Sequence, residues 1–428
     1  MGDALTRLCA DMEIRRIGVA CSGGSDSFGL LCLAKRWTDA RGLSLVVFTV
    51  DHGLRPESGA EASWVRARAE KFGVEWKGIS WLGEKPKSGL QEAARLARNA
   101  LLDIAAHEAG ASVLLTGHTR NDQAETVLMR LRRGSGPRGL AGMSAKRTLG
   151  FTTLLRPMLT LDRAEVQDWL REQGLEWLDD PSNRNMDFER VQIRRWLNKD
   201  RRNLVDGLSE AASEFGRWRR AWDEETLSFL RAHATVFDAG WVSMDREAFL
   251  GLAREAQQHI ANRVIMAVSG KLYPKGCRQL MGFTRLLLAK GAGTIGGTRF
   301  IKDKDRILAL RENRNHQVLR LCGHRHLHWD RRFAVTLNPH VATDCVIGPL
   351  GEDGWAEIVQ ADPTLRATTI PYPVRISLPA IKCALGVCET PHLGYSRIGW
   401  AGSSDRAFVR SIDWIHKTSL RYGRFVVA

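Results

Sequence analysis

The sequence predicts an α/β protein: a doubly wound parallel-sheet catalytic domain, then a mainly helical middle domain and a small α+β C-terminal domain. Three observations carry this reading. From Ile17 to about Leu161, short apolar β-rich runs alternate with helical patterns, as they do where βαβ units stack into a parallel sheet. The next stretch is patterned at helical spacing, and from about Thr298 short β-like runs broken by Gly and Pro take over. At 428 residues the chain exceeds what one core usually serves, so several domains are expected. The borders are set at 1–200, 201–297 and 298–428.

In chain order, the expected strands are Ile17 to Cys21, Leu45 to Val50, Glu75 to Trp81 and Ser112 to Thr116. Between them Trp64, Val65, Ala69 and Phe72 recur at helical spacing, as do Leu90, Ala93, Ala94, Ala97, Leu101, Ile104 and Ala105, which marks two amphipathic helices. Arg163 to Gln173 reads as a further helix. Asp179-Asp180-Pro181-Ser182-Asn183 reads as a loop because it concentrates breaker residues. A long helical stretch then carries Arg190, Arg194, Arg195, Lys199, Arg201 and Arg202, and helical patterning continues through Phe229 and from Arg254 to Val268. Phe300-Ile301, Ile307 to Leu310 and Val318 to Leu321 are the β-like runs of the last domain.

Composition narrows the function classes. The apolar fraction of 44% and charged fraction of 26% suit a soluble globular protein, and no apolar run is long enough to span a bilayer. The N-terminal residues lack the layout of a secretory signal, so a cytoplasmic protein without a membrane partner is expected. Eight cysteines occur without any Cys-x-x-Cys pair, which argues against a disulfide framework, a zinc ribbon and a thioredoxin-type couple. A formal net charge of +15 favours polyanions through counterion release, although charge alone divides evenly between nucleic acid and simpler roles.

The strand Ile17 to Cys21 runs directly into Ser22-Gly23-Gly24-Ser25-Asp26-Ser27 and then into an apolar helix from Phe28. At such a turn glycines let the backbone approach an anion, while N–H groups and the helix dipole hold phosphate. The Lys-containing P-loop is excluded, because the Lys is missing and the spacing is too short. The competing reading is an ordinary Gly/Ser turn that caps the helix through Ser25 or Asp26; the flanking strand and helix favour a nucleotide site.

Asp51 and His52 follow the second strand, at the carboxyl end where open α/β sheets bind ligands. Arg95 and Arg98 lie three apart and share a helix face, which either meets phosphate or is merely solvated. The longest motif, Thr116-Gly117-His118-Thr119-Arg120-Asn121-Asp122-Gln123-Ala124-Glu125-Thr126, leaves the fourth strand and enters a helix expected to be capped by Asn121 or Asp122. A carboxylate at Asp122 suits Mg²⁺ beside phosphate, and His118 can donate to a phosphate oxygen. The alternative makes Asp122 a helix cap and His118 a hydrogen-bonded surface side chain.

With these residues in view, the loop resembles that of the N-type ATP pyrophosphatases, and the ordered set of motifs resembles the tRNA(Ile)-lysidine synthetase family. The resemblance covers the first two hundred residues, including Arg156-Pro157-Met158-Leu159 and Asp180-Pro181-Ser182-Asn183 followed by Arg190 and Arg194. It implies a ligase that uses ATP and Mg²⁺ to adenylate the wobble cytidine of an isoleucine tRNA with a CAU anticodon. Free L-lysine is then joined at C2, with release of AMP and pyrophosphate. It also admits a homodimer. On this resemblance Ser22 to Ser27 bind ATP, Asp122 (also the Mg²⁺ ligand), His118 and Arg95 are catalytic, and Asp51, His52, Arg98, Glu125, Arg190 and Arg194 meet substrate. Asp51, Glu92 and Glu125 are the candidates for an acidic lysine anchor. One departure is visible: the family usually carries a carboxylate pair where this chain has Asn121-Asp122, which bears on metal stoichiometry.

The basic helix from Arg190 to Arg202 and the positive C-terminal region suit a tRNA backbone. A thiolase of the same superfamily and a non-catalytic nucleotide-binding RNA-binding protein are the alternatives. Two further clusters, Cys322 with His324, His326 and His328, and Cys383 with Cys388 and His392, lack the paired spacing of common zinc modules and read as structural.

Overall fold

The computed structural model describes residues 1–51, 58–81, 90–179, 189–197, 201–271, 279–280, 282, 291–339, 344–397 and 407–428. They form two compact units, Met1–Ala221 with Phe425–Ala428, and Trp222–Arg424.

The first unit is a six-stranded sheet in the order β3-β2-β1-β4-β6-β5, built from β1 (Arg16–Ala20), β2 (Ser44–Asp51), β3 (Glu75–Ser80), β4 (Val113–Thr116), β5 (Lys146–Thr148) and β6 (Thr153–Leu155). Neighbours from β3 to β6 run parallel, and β5 alone is antiparallel. Val19 stands between Val47 and Leu115 in register. The central strands are apolar along their whole length because both faces are covered: Ile17, Val19, Val47, Val113 and Leu115 enter one core, Val46, Phe48 and Leu114 the other. Strand order reverses between β1 and β4, so the loops that leave these two strands open at the topological switch point.

Helices α1 (Gly2–Cys9), α2 (Ser25–Asp39), α3 (Ser58–Lys71), α4 (Leu90–Glu108), α5 (Arg120–Arg132), α6 (Pro137–Leu140), α7 (Arg163–Glu172) and α8 (Glu189–Leu197) complete the frame, and the division between units falls inside α9 (Arg202–His233). Helix α2 buries Phe28, Leu30, Leu31 and Ala34. Helix α7 starts with a reciprocal cap: Asp162 accepts the Ala164 N–H at 2.8 Å, and the Asp162 N–H donates to Glu165 at 2.7 Å, an arrangement worth ~1 kcal/mol. Ile193 and Leu197 of α8, Ala124 of α5 and Val205 of α9 form one buried cluster. Residues near the chain's far end join this unit: the Ala145 N–H donates to Val426 O at 2.9 Å, and the Val426 N–H to Ser144 Oγ at 3.0 Å.

The second unit begins with β7 (Ala234–Phe237), β8 (Trp241–Asp245), α10 (Arg246–Leu250), α11 (Arg254–Ser269), β9 (Ala292–Ile295), β10 (Thr298–Asp303) and β11 (Arg306–Arg311). Their five strands form one antiparallel sheet, β7-β8-β11-β10-β9. A border at 297/298 falls between two paired strands, while α9, α10 and α11 make up most of the described middle of the chain. The β-like runs at Phe300-Ile301 and Ile307 to Leu310 lie in β10 and β11 of this sheet; a five-stranded and a three-stranded sheet follow, holding Leu319–Arg320 of the third run and Cys383, Cys388 and His326. Among the described residues no helix is long and apolar enough to cross a membrane.

Candidate active site

The Ser22–Ser27 segment turns where the sequence places it, between β1 and α2. Gly23 adopts φ +86°, a backbone conformation that favours glycine, and a Cβ there would also push on Leu178 Cδ1 at 2.6 Å. Ser27 ties the loop to itself, taking the Ser22 N–H at 3.1 Å and donating to Gly24 O at 3.1 Å. Gly24 is the N-cap of α2 and makes no side-chain cap. The helix therefore begins with N–H groups that suit phosphate. The alternative of a cap through Ser25 or Asp26 is not what forms.

The loop after β4 is pressed against this turn. A Cβ at Gly117 would lie 2.6 Å from the Asp26 carbonyl oxygen and 3.0 Å from Ser27 Cα, so only glycine allows the approach. His118 follows, with Nδ1 3.0 Å from Thr116 Oγ1. Burial, reinforced by the charges of Arg156, Arg190 and Arg98, pushes its pKa down to about 3 against the opposing pull of Asp122. The imidazole is thus neutral at ordinary pH and acts as a dipole rather than a cation.

Helix α5 is capped by Thr119, not by Asn121 or Asp122. Asp122 stands three residues inside and divides its carboxylate between two tasks. Oδ2 accepts the Thr119 N–H at 2.9 Å and the Thr119 hydroxyl at 3.1 Å, while Oδ1 accepts Arg190 Nη2 at 2.7 Å and faces Arg163 Nη2 at 3.3 Å. Oδ2 thus serves the capping box of α5, while Oδ1 lies among arginines. Burial alone would raise its pKa, but Arg190, Arg163, His118 and the Thr119 N–H hold the carboxyl well below the ordinary range.

Glu125, one turn on and 1% exposed, is clasped by Arg190 Nε and Arg194 Nε, each at 2.7 Å. Asp26, at the start of α2, accepts Arg163 Nε at 2.8 Å. Its pKa is raised by burial and by Asp122, against Arg163 and Arg194. Arg163, which periodicity assigned only to a helix start, is the joint of the arrangement. It touches Asp26, faces Asp122, and has Nη1 3.7 Å from Glu125; the three carboxylates keep its own pKa raised despite burial. The sole sequence signal for it was its place at the first helical position behind an Asp162–Glu165 capping box. Asn121 Oδ1 accepts the Arg163 backbone N–H at 2.9 Å, a use for the amide unrelated to metal.

Arg190 and Arg194, expected to meet substrate from a basic helix, thus turn inward to carboxylates. Arg195, on the same helix, is exposed. Asp51 ends β2 on the carboxyl edge, where its carbonyl accepts the Trp81 N–H at 2.9 Å. Glu92 and Arg95 are exposed on α4 and Arg98 is half-buried, with its charge reaching His118 and Cys21. His52 and residues 180–183 lie outside the described residues. Asp26 and Asp122 carry hard oxygen donors on the first turns of α2 and α5. This is the set Mg²⁺ takes when phosphate oxygens and water complete its shell, so the residues fit that ion. Among the described residues no group of three or more His, Cys, Asp or Glu is arranged to hold a metal by itself. Burial pushes the Cys21 thiol up to about 11 and the Cys32 thiol up to about 12, which makes both poor nucleophiles.

The fold and this loop pair define a PP-loop protein, and residues 2–201 match the family described as the PP-loop domain. A tRNA(Ile)-lysidine synthase of Ruegeria pomeroyi is 32% identical over 389 residues, covering 90% of each chain. One from Hyphomonas neptunium is 37% identical over 295 residues, covering 66% of this chain and 78% of the relative. One from a Bradyrhizobium species is 50% identical over 178 residues, covering 41% of this chain and 50% of the relative. The chain belongs to the tRNA(Ile)-lysidine synthase family, ATP-using ligases that modify tRNA.

Proposed function

We propose that this chain adenylates the wobble cytidine of an isoleucine tRNA with a CAU anticodon and then couples free L-lysine to C2. In the first step cytidine O2 attacks the α-phosphorus of ATP and pyrophosphate leaves. In the second the neutral ε-amine attacks C2, the C2–O2 bond breaks, AMP leaves with O2, and the nitrogen sheds a proton. The observation that carries this reading is the contact of Gly117 with the Asp26 backbone, which sets the phosphate loop beside His118 and Asp122.

Ser22 to Ser27 and the N-terminus of α2 suit the triphosphate, and a neutral His118 suits donation to an α-phosphate oxygen. Asp26 and Asp122 would hold Mg²⁺, which when bound offsets the charge developing on pyrophosphate. Arg95 and Arg98 on α4 suit phosphate or base, with Asp51 at the rim of β2. Of the carboxylates considered for lysine, Glu125 is buried and already held by Arg190 and Arg194, which leaves Asp51 and Glu92 as the candidates. The thiolase alternative is weakened by the unreactive thiols at Cys21 and Cys32.

The test supplies ATP, Mg²⁺, labelled lysine and total tRNA, and follows label into RNA together with AMP release. Incorporation into one isoleucine tRNA is the expected result. A folded, tRNA-binding protein that incorporates no lysine would refute the reading.

A further inference from the structure

We propose that Arg156 is an oxyanion-binding residue of the catalytic rim, its guanidinium receiving a phosphate brought by ATP or by the RNA backbone. It follows β6 immediately, the strand beside β4, and so opens on the same carboxyl edge as His118. Its backbone is fixed by an N–H to Ala145 O bond of 2.8 Å, and Nη1 donates to Ser144 O at 2.7 Å. The other side of the guanidinium is unspent: Nε is buried and has no hydrogen-bond partner among the described residues.

Its electrostatic surroundings set it apart from the neighbouring arginines. Arg163, Arg190 and Arg194 each lie against carboxylates. The charges that bear on Arg156 are those of Arg147 and Arg95, both repulsive, and its own charge is felt at His118. A buried donor among like charges is costly until an anion arrives, and a guanidinium fork matches phosphate oxygens. The proposal rests on the reading of this rim as one that handles ATP and tRNA.

Arg156→Ala and Arg156→Gln separate binding from architecture, because the Gln amide can still donate to the Ser144 carbonyl without carrying charge. Calorimetric titration with ATP, AMP and pyrophosphate in the absence of RNA reads one source, and filter binding of tRNA in the absence of nucleotide reads the other. Both variants are expected to weaken at least one arm roughly ten- to hundredfold; the arm affected says whose phosphate is bound. Wild-type affinity of Arg156→Gln in both arms would overturn the proposal, as would a defect of Arg156→Ala that Gln restores. Should the Ala variant fail to fold, the Gln variant decides alone. A wild-type protein that binds both ligands yet incorporates no lysine removes the functional reading and leaves the phosphate contact standing.

Discussion

Asn121 Oδ1 accepts the backbone N–H of Arg163 at 2.9 Å, so a neutral amide seats the first turn of α7 and with it the guanidinium that joins Asp26 to Asp122. Asn121→Ala removes this acceptor and should cost about 1 kcal/mol of stability, with a fall in turnover. Asn121→Asp keeps the acceptor and should retain turnover within about threefold. Steady-state lysine incorporation and chemical denaturation check both; a larger loss in Asn121→Asp than in Asn121→Ala would contradict the seating role.

On the proposed reading, in which Asp122 serves the nucleotide rather than the RNA, Asp122→Ala should abolish lysine incorporation while tRNA affinity stays within about threefold. Filter binding and labelled-lysine transfer measure the two. Lost tRNA affinity would make the residue structural.

Glu125→Gln leaves Arg190 and Arg194 against an uncharged partner at a site that is 1% exposed. Removing one member of a buried ion-pair set costs roughly 3–5 kcal/mol, and denaturant titration should show a loss of at least half that. A change under about 0.5 kcal/mol would mean the two arginines find other partners.

Gly117→Ala places a methyl group 2.6 Å from the Asp26 carbonyl oxygen, and backbone cannot yield as a flexible side chain does. ATP affinity should fall by roughly tenfold or more with the fold retained. Titration with ATP reads this directly, and unchanged affinity would show that the two loops separate freely.

His118 sets a pH dependence whose sign is fixed. Its folded pKa is lowered to about 3, whereas an unfolded imidazole titrates at about 6.5. Between those values the unfolded chain binds more protons, so stability is lost as pH falls from about 6.5. His118→Asn should therefore lose stability less steeply than wild type between about pH 6.5 and 4. Denaturation at several pH values tests it; identical slopes would mean an imidazole that titrates normally.

The parallel sheet and its loops were legible because each depends on local pattern. Val46, Val47 and Phe48 form a continuous apolar run, and Gly23 and Gly24 interrupt a strand and a helix at one point. The Arg163 joint was illegible because it links Asp26, Asp122 and Glu125 through space, and nothing in the local pattern of α7 reports a partner far away in the chain. Strands β5 and β6, three residues each, are too short to show alternation. The pairing of β9 with β10 across 297/298 was illegible for a related reason, because pairing registers are not written in composition. Arg190 and Arg194 looked like one basic surface with Arg195, since sequence counts charges but does not say which way they turn.

Residues 425–428 pack with the first unit, and Val426 bonds Ala145 and Ser144, whose carbonyl also receives Arg156. On a ribosome that corner of the rim must wait, because the segment that completes it emerges only after the whole of the second unit has been made. A nascent chain stalled anywhere in between would carry the phosphate loop without the finished wall beside it, so the order of synthesis itself delays the moment at which the enzyme can act.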